Sequence, residues 1–313
     1  MKRLNNIIKK FIEEYNVEDF SELSFISNLT SIIDNYPIKL KQEVSKKYVS
    51  INKSFNYSYE FLKTIDKRYA DYLLKIKNEG VFDITQGNEE YPYSNIIDGK
   101  SYIYMPIYNN IGDTYAITHE TIHDMSAIDG ETNLNRYLFC EVFSLLAEML
   151  QRDYFYNTSR PKEYNLNNNS ILRGIYSKKR TIMLELNLIR TYLEYGYIDN
   201  QKIFDILGIF NSSELTEISY KLHFILEHEE LSYGFEQRYI IGYLIASYMH
   251  DRILKNPRNV CEFIELNDNL NNYEVQDFLD YLELDYEDSK ILNLKETSYQ
   301  KLRNSFVNEL KRR

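Results

Sequence analysis

The sequence predicts a mainly α-helical protein with a small β-element, and three observations support this fold class. Through most of the 313 residues, apolar side chains recur at intervals of three and four positions, the spacing of one helix face. Glycine and proline are few, with 10 and 5 residues, which argues against a turn-dense β-sandwich or barrel. Strand-like runs stand out between residues 80 and 110. We therefore expect one helical body with a small β-element beside its centre.

The first 79 residues are predicted to form an N-terminal helical segment. Helices are expected over 3–15, 21–34, 38–52 and 55–79. The first is amphipathic, because its apolar residues have helical spacing: Leu4, Ile7, Ile8, Phe11 and Ile12.

Residues 80–313 are expected to form a second region that continues the same body. It begins with two short strands, Val81–Ile84 and Ser101–Tyr108, around a turn-rich loop that contains Gly87, Pro92 and Gly99. Further helices are predicted over 113–128, 134–157, 168–197, 213–228, 235–255, 273–283 and 296–312. The Asn-rich stretch 157–169 is predicted to be a loop between the middle and C-terminal helices.

Composition excludes several classes of function. The net charge is −10, and a general binder of nucleic acid needs a basic face, so we expect no nucleic-acid partner. The chain contains no stretch of about 18 apolar residues, so we expect no membrane-spanning helix. The basic start of the chain lacks the continuous apolar core of a signal peptide, so we expect a cytoplasmic protein. Two cysteines, Cys140 and Cys261, cannot build a disulfide framework or a four-cysteine zinc site.

The most informative motif is His119-Glu120-x-x-His123 on a predicted helix. Positions i and i+4 project from one helix face, so both imidazoles can reach one metal ion. Glu120 lies about 100° around the helix, where it can take a proton from water activated by zinc. Asp113 or Thr114 is a plausible N-cap for this helix. The alternative is two ordinary helix histidines beside an exposed glutamate.

A catalytic zinc site needs a third protein ligand and an open position for water. Glu141 and Glu148 lie two turns apart on the next, strongly apolar helix, so they share a face. Buried carboxylates need compensation, which a dication and its histidines would supply. We expect Glu141 to bind the metal. Glu148 either orients a ligand histidine or forms a salt bridge within the helical body, and Cys140 is more plausibly a core thiol than a ligand.

Two stretches resemble the oligoendopeptidase F and thimet oligopeptidase family of zinc metallopeptidases. In residues 108–123, an Asn-bearing strand and the Gly112-Asp113 turn lead into the histidine helix. The second stretch, Glu141-Val142-Phe143-Ser144-x-x-x-Glu148, is similar to the family's Glu-x-x-Ser-x-x-x-Glu helix. The resemblance implies a multi-helix, zincin-type metallopeptidase body. It also implies that Glu141, the first glutamate of the pattern, is the third zinc ligand.

A third stretch, residues 235–246, is similar to the family's Tyr-x-x-Gly helix. The resemblance implies that tyrosines there, Tyr239 or Tyr243, and a preceding histidine stabilise the oxyanion of the bound peptide. His228 lies near the expected histidine position, although it is also consistent with an exposed residue at an acidic helix end. Gly242 on the same helix would let another backbone approach closely.

The implied function is zinc-dependent hydrolysis of short or unfolded peptides, with Glu120 as general base and Zn²⁺ as cofactor. The oligomeric state is left open. Three departures favour an alternative, a catalytically impaired metal-binding helical protein that acts as a binding or regulatory module. Ile122 replaces the family's usual Gly, the connection 124–140 is short, and the chain is about half the typical length. A helical scaffold without metal is a third hypothesis, but it leaves the shared face of Glu141 and Glu148 unexplained.

Overall fold

The computed structural model describes residues 1–14, 17, 48–87, 91–126, 134–157, 169–212, 214–231 and 233–268. Ten α-helices and one three-stranded sheet occur within these ranges, so the predicted mainly helical fold with a small β-element is confirmed. The helices predicted over 21–34, 273–283 and 296–312 lie outside the described residues, as does most of 38–52. The division at residue 79 stays a prediction.

The N-terminal helices begin with an amphipathic α1 (Lys2–Glu14), as predicted. The single helix expected over 55–79 is two helices, α2 (Ile51–Ile65) and α3 (Lys67–Asn78). They are separated by Asp66, whose backbone is extended with φ −154° and ψ 134°. The Asp66 carboxylate accepts a hydrogen bond from the Arg68 backbone N–H at 2.7 Å and so caps α3. Periodicity alone missed this break because the apolar spacing continues across it.

The sheet has three strands, β1 (Phe82–Gln86), β2 (Tyr93–Ile97) and β3 (Lys100–Ile107), in the order β1-β3-β2. β1 runs parallel to β3, with Phe82 opposite Ile103, and β2 runs antiparallel, with Tyr93 opposite Tyr104. β2 occupies part of the region predicted to be a loop. A tight turn at Asp98 and Gly99, both with positive φ, joins it to β3.

The remaining helices follow the sheet. They are α4 (Ile111–Ser126), α5 (Leu134–Asn157), α6 (Asn169–Tyr195), α7 (Asn200–Leu207), α8 (Leu215–His228), α9 (Tyr233–Lys255) and α10 (Val260–Asp268), with a 3₁₀ turn at Pro257–Asn259. Five of them match predicted helices closely. The short helices α7 and α10 were not predicted, because eight or nine residues give too few turns for a clear period.

The centre of the described body is the contact between α5 and α9, the most extensive helix pair there. α4 packs against both α5 and α2. Fully buried apolar side chains fill this centre, among them Phe143, Leu146 and Ile245. In the described part of the chain, no helix combines the length and apolar character needed to cross a bilayer.

Candidate metal centre and active site

The start of α4 is fixed by a reciprocal cap at the end of β3. The Asn110 side chain accepts a hydrogen bond from the Gly112 N–H at 2.7 Å, and the Asp113 carboxylate accepts from the Tyr108 and Asn110 N–H groups at 3.0 and 3.3 Å. This resembles a capping box, in which both ends satisfy backbone donors. The cap is therefore Asn110, one turn earlier than the predicted Asp113 or Thr114. The strand thus leads directly into the histidine helix.

Tertiary packing holds α4 along its length. The Ser58 hydroxyl of α2 donates to the Thr114 carbonyl at 2.8 Å. Ile117 and Ile122 are fully or almost fully buried in the main hydrophobic core. Ile122 therefore packs into the core on the side of α4 that faces it. Its bulk, which departs from the family pattern, does not prevent His123 from meeting His119.

The histidines of α4 lie side by side, with ring centroids 4.6 Å apart. The Nε2 atoms of His119 and His123 lie 3.2 and 3.1 Å from the same carboxylate oxygen, Oε2 of Glu141. One ligand atom from each of these three residues falls within 4.8 Å of the others. The structure thus brings together the three residues that the sequence nominated as metal ligands.

The donor set fits zinc. Two imidazole nitrogens and one carboxylate oxygen are the ligands of many catalytic zinc sites, with a fourth position left to water. Ligand atoms about 2.0–2.2 Å from a tetrahedral zinc ion lie about 3.3–3.6 Å from one another. The distances from Glu141 Oε2 to the two Nε2 atoms, 3.2 and 3.1 Å, are close to that separation. The residues present therefore suit a zinc ion.

Glu148 orients His119 from the side away from this group. Its Oε1 lies 2.7 Å from His119 Nδ1, and its Oε2 accepts a hydrogen bond from Arg152 at 2.8 Å. A carboxylate on Nδ1 places the proton there and leaves Nε2 as the ligand atom. Both alternatives considered for Glu148 thus occur together, a contact with the histidine and a salt bridge within the helical body.

Electrostatics in the group favour ionised carboxylates. Burial alone would raise the pKa of Glu141, but the neighbouring histidines hold it well below its ordinary value. Burial alone would lower the pKa of His119, whereas hydrogen bonds and charge from Glu141 and Glu148 raise it well above 6.5. A divalent cation would take the place of the proton that these carboxylates hold on the histidine.

Glu120 is nearly buried, with 4% of its surface exposed, beside the same histidines. Burial raises the pKa of its carboxyl, and the charges of His119 and His123 oppose the rise. Within the described ranges, no side chain forms a hydrogen bond or an ion pair with this carboxylate. A carboxylate with a raised pKa and no fixed partner is suited to accept and return a proton.

The two candidate tyrosines occupy different environments on α9. The Tyr239 hydroxyl accepts a hydrogen bond from Arg238 at 3.3 Å, and its ring lies beneath the same guanidinium. Burial raises the pKa of Tyr239, and the charge of Glu141 raises it further, which places the phenol near the candidate site. Tyr243 is 3% exposed and belongs to the hydrophobic core. These two environments favour Tyr239 over Tyr243 as the residue that could reach a substrate.

His228 lies at the exposed C-terminal end of α8, where its ring packs on Phe224 at 4.1 Å between centroids. A role for His228 in hydrolysis stays a prediction. Cys140 precedes Glu141 but is not part of the ligand group. Burial raises the pKa of its thiol to about 12, so the thiol is protonated at neutral pH.

Arg238 is a site residue that sequence reasoning missed. Its Nε lies 3.0 Å from Glu141 Oε1, the carboxylate oxygen that does not face the histidines. One turn along α9, Gly242 packs directly on Glu141: a Cβ there would lie 2.5 Å from the Glu141 Cβ. The predicted close approach at Gly242 is therefore confirmed. The spacing of Arg238 and Gly242, four residues apart, was the available signal, since it places both on one helix face.

No protein-family model matches the chain, and no curated protein sequence matches it significantly. Solved structures do match. A Chlamydophila abortus protein assigned as a peptidase has a TM-score of 0.53 at 14% identity, over 99% of this chain and 55% of its own. PZ peptidase A, in complex with an inhibitor, has a TM-score of 0.52 at 10% identity, over 98% and 58%. A Bacillus anthracis protein assigned as an oligoendopeptidase F has a TM-score of 0.49 at 11% identity, over 100% and 56%.

These likenesses show the fold. The chain has a peptidase-like helical fold and spans a little over half the length of the solved structures it resembles.

Proposed function

We propose that this chain is a zinc-dependent peptidase of the oligoendopeptidase F and thimet oligopeptidase type. The observation that carries the proposal is the convergence of His119, His123 and Glu141, whose ligand atoms lie within 4.8 Å of one another, beside the buried Glu120. The peptidase-like fold and the resemblance of the two motif helices support it. A cytoplasmic location and short or unfolded peptide substrates belong to the same proposal.

In the proposed mechanism, His119 and His123 would hold zinc through Nε2 and Glu141 through Oε2. Zinc bound there would raise the acidity of water and polarise a substrate carbonyl. The Glu120 carboxylate takes the proton of the attacking water and then delivers it to the leaving amine. The Tyr239 hydroxyl donates to the oxyanion that develops on the substrate, with Tyr243 as the alternative donor. Glu148 keeps the proton of His119 on Nδ1 throughout.

The experiment that tests this proposal is turnover of an internally quenched peptide library by the zinc-loaded full chain. We expect cleavage that a chelator abolishes and that added Zn²⁺ restores. A chain with full zinc occupancy that cleaves no peptide would contradict the proposal. That result would favour the non-catalytic metal-binding module.

A further inference from the structure

We propose that Arg238 is a positioning residue that holds the Glu141 carboxylate in place, so that Glu141 presents one oxygen, Oε2, to the metal. The inference rests on the proposed zinc site but concerns Arg238, a residue of the stretch 235–246 to which the resemblance assigns no role. It follows from the contacts of the Glu141 carboxylate, whose two oxygens face side chains of two different helices, α4 and α9.

Each oxygen of Glu141 faces a different partner. Oε2 lies 3.1–3.2 Å from the two histidine Nε2 atoms, whereas Oε1 lies 3.0 Å from Arg238 Nε. This second contact is an ion pair whose alignment falls short of a hydrogen bond. The Glu141 side chain is 0% exposed and that of Arg238 is 17% exposed, so water contributes little to this contact. A buried carboxylate is strongly disfavoured unless both oxygens are compensated. Arg238 supplies a positive charge beside the oxygen that the histidines do not contact.

Close packing of α9 on α5 places the guanidinium there. A Cβ at Gly242 would lie 2.5 Å from Glu141 Cβ and 3.0 Å from its carbonyl carbon, so only glycine permits this approach. Arg238 lies one turn before Gly242 on the same face of α9. The glycine thus brings the arginine side chain to the level of the Glu141 carboxylate.

Glu148 shows the same arrangement on the neighbouring turns of α5. Its Oε1 contacts His119 at 2.7 Å and its Oε2 accepts from Arg152 at 2.8 Å. Each carboxylate therefore has a histidine at one oxygen and an arginine at the other, through a hydrogen bond from Arg152 and an ion pair with Arg238. In the case of Glu141 the fixed carboxylate is a proposed ligand, so its position sets the geometry of the metal site.

The guanidinium also reaches the proposed oxyanion donor. Arg238 Nη2 donates to the Tyr239 hydroxyl at 3.3 Å while Nε faces Glu141. Because arginine has no acceptor, the Tyr239 oxygen must be the acceptor in this contact. The planar fork of arginine can hold a carboxylate and a phenol together, which the single ammonium of lysine cannot reproduce.

The test compares zinc affinity in wild type, Arg238→Gln and Arg238→Lys, measured by competition with a chelator of known affinity. We expect Arg238→Gln to bind zinc roughly 10–100-fold more weakly, the typical effect of removing an outer partner of a ligand. Arg238→Lys keeps the charge and is expected to lose less. Arg252→Met is the matched control, because Arg252 lies on the same helix and pairs with Glu262 at 3.4 Å. It is expected to bind zinc like wild type.

A second readout is the visible spectrum of the Co²⁺-loaded proteins, which reports coordination number independently of activity. If Arg238 restricts Glu141 to one oxygen, Arg238→Gln allows two-oxygen binding, and the absorption weakens as coordination expands. A purely structural arginine would leave this spectrum unchanged.

Equal or tighter zinc binding by folded Arg238→Gln, with a wild-type cobalt spectrum, would overturn the inference. Tighter binding would mean that the guanidinium acts chiefly as a charge that repels the dication. Should Arg238→Gln fail to fold by circular dichroism, Arg238→Lys decides: weaker binding with an altered spectrum supports the role, and wild-type behaviour refutes it. A wild-type chain that binds no zinc would overturn the metal site and this inference together. Zinc binding without peptidase activity would overturn only the proposed function.

Discussion

Glu120 combines two properties at the scale of a single residue. It is buried beside His119 and His123, and burial raises the pKa of its carboxyl. A metal ligand in this position would be held by its partners, whereas a proton carrier must be able to bind and release a proton near neutral pH. Glu120 therefore suits the second role, next to the three residues that suit the first.

The substitution Glu120→Gln tests this division of roles. The amide is nearly isosteric but cannot accept a proton, so we expect zinc content and fold to persist while turnover falls by at least about a hundredfold. The measurement is peptide cleavage at equal zinc occupancy. Activity within a few-fold of wild type would mean that a different base operates.

Tyr239→Phe tests the oxyanion donor. If the phenol donates to the tetrahedral intermediate, its loss should raise the barrier by about 2.7–4 kcal/mol and leave KM nearly unchanged, because the bond strengthens only in the transition state. Tyr243→Phe tests the alternative donor; because Tyr243 is buried in the core, we expect its turnover to stay near that of wild type. Normal turnover in the Tyr239 variant and a large loss in the Tyr243 variant would reverse the assignment.

For single residues, the sequence can identify pairs that share a face of one helix, because helix geometry fixes their relative positions. His119 and His123 share a face because they are four residues apart, and Glu141 and Glu148 share one because they are seven apart. Arg238 reaches Glu141 from a helix nearly a hundred residues further along the chain. Its partner depends on how α9 packs on α5, which no local pattern encodes.

Among the individual helices, α9 depends on one glycine, Gly242, for its close packing on α5. Gly242→Ala adds a Cβ that would lie 2.5 Å from the Glu141 Cβ and 3.0 Å from a backbone atom of α5. Backbone cannot move aside as a flexible side chain can, so we expect a loss of about 1–3 kcal/mol of unfolding free energy. Urea denaturation measures it.

The control is Gly208→Ala, where the nearest atoms lie at 3.3 and 3.4 Å from the added Cβ. This variant should be close to wild type in stability. A Gly242→Ala protein as stable as wild type, with unchanged zinc affinity, would show that α5 and α9 are less tightly packed than the structure indicates.

Asp66 lies at the boundary between two helices, where α2 ends and α3 begins, and its side chain caps α3. The hydrogen bond with Arg68 lowers the pKa of its carboxyl. The folded state therefore favours the ionised form, and the stabilisation is present above the ordinary carboxyl pKa and is lost as the pH falls below about 4. We expect Asp66→Ala to cost about 1 kcal/mol at pH 7.

Asp66→Asn is the companion variant, because asparagine caps a helix without carrying charge. It should retain most of the stability at pH 7, and the difference from wild type should shrink in acid. Urea denaturation at pH 7 and pH 3.5 gives both comparisons. An Asp66→Ala variant with wild-type stability at pH 7 would contradict the capping role.

Element prediction succeeded where a period runs over many turns, as in α5 and α6. It failed where local chemistry interrupts the period. Asp66 breaks a helix inside a continuous apolar pattern, and β2 lies in a segment that is rich in turn residues. Both features depend on backbone hydrogen bonds, namely the cap on Arg68 and the pairing with β3, which apolar spacing does not report.

For the whole molecule, the candidate site depends on contacts between distant parts of the chain. α4 supplies two proposed ligands, α5 the third, and α9 the side chains that contact it. The helical fold class could be predicted from the sequence because it follows from composition and periodicity. The mutual placement of α4, α5 and α9 could not, and the resemblance to the peptidase family anticipated it only for the two motif helices.

The proposed function requires that the assembled helices bind one zinc ion through His119, His123 and Glu141. The most direct measurement is elemental analysis of zinc per chain, after purification from zinc-replete medium, for wild type and for His123→Ala with its fold checked by circular dichroism. We predict about one zinc ion per wild-type chain and almost none in the variant, because removing one of three ligands removes most of the affinity. A folded wild-type chain without zinc, or a His123→Ala chain that retains it, would contradict the claim.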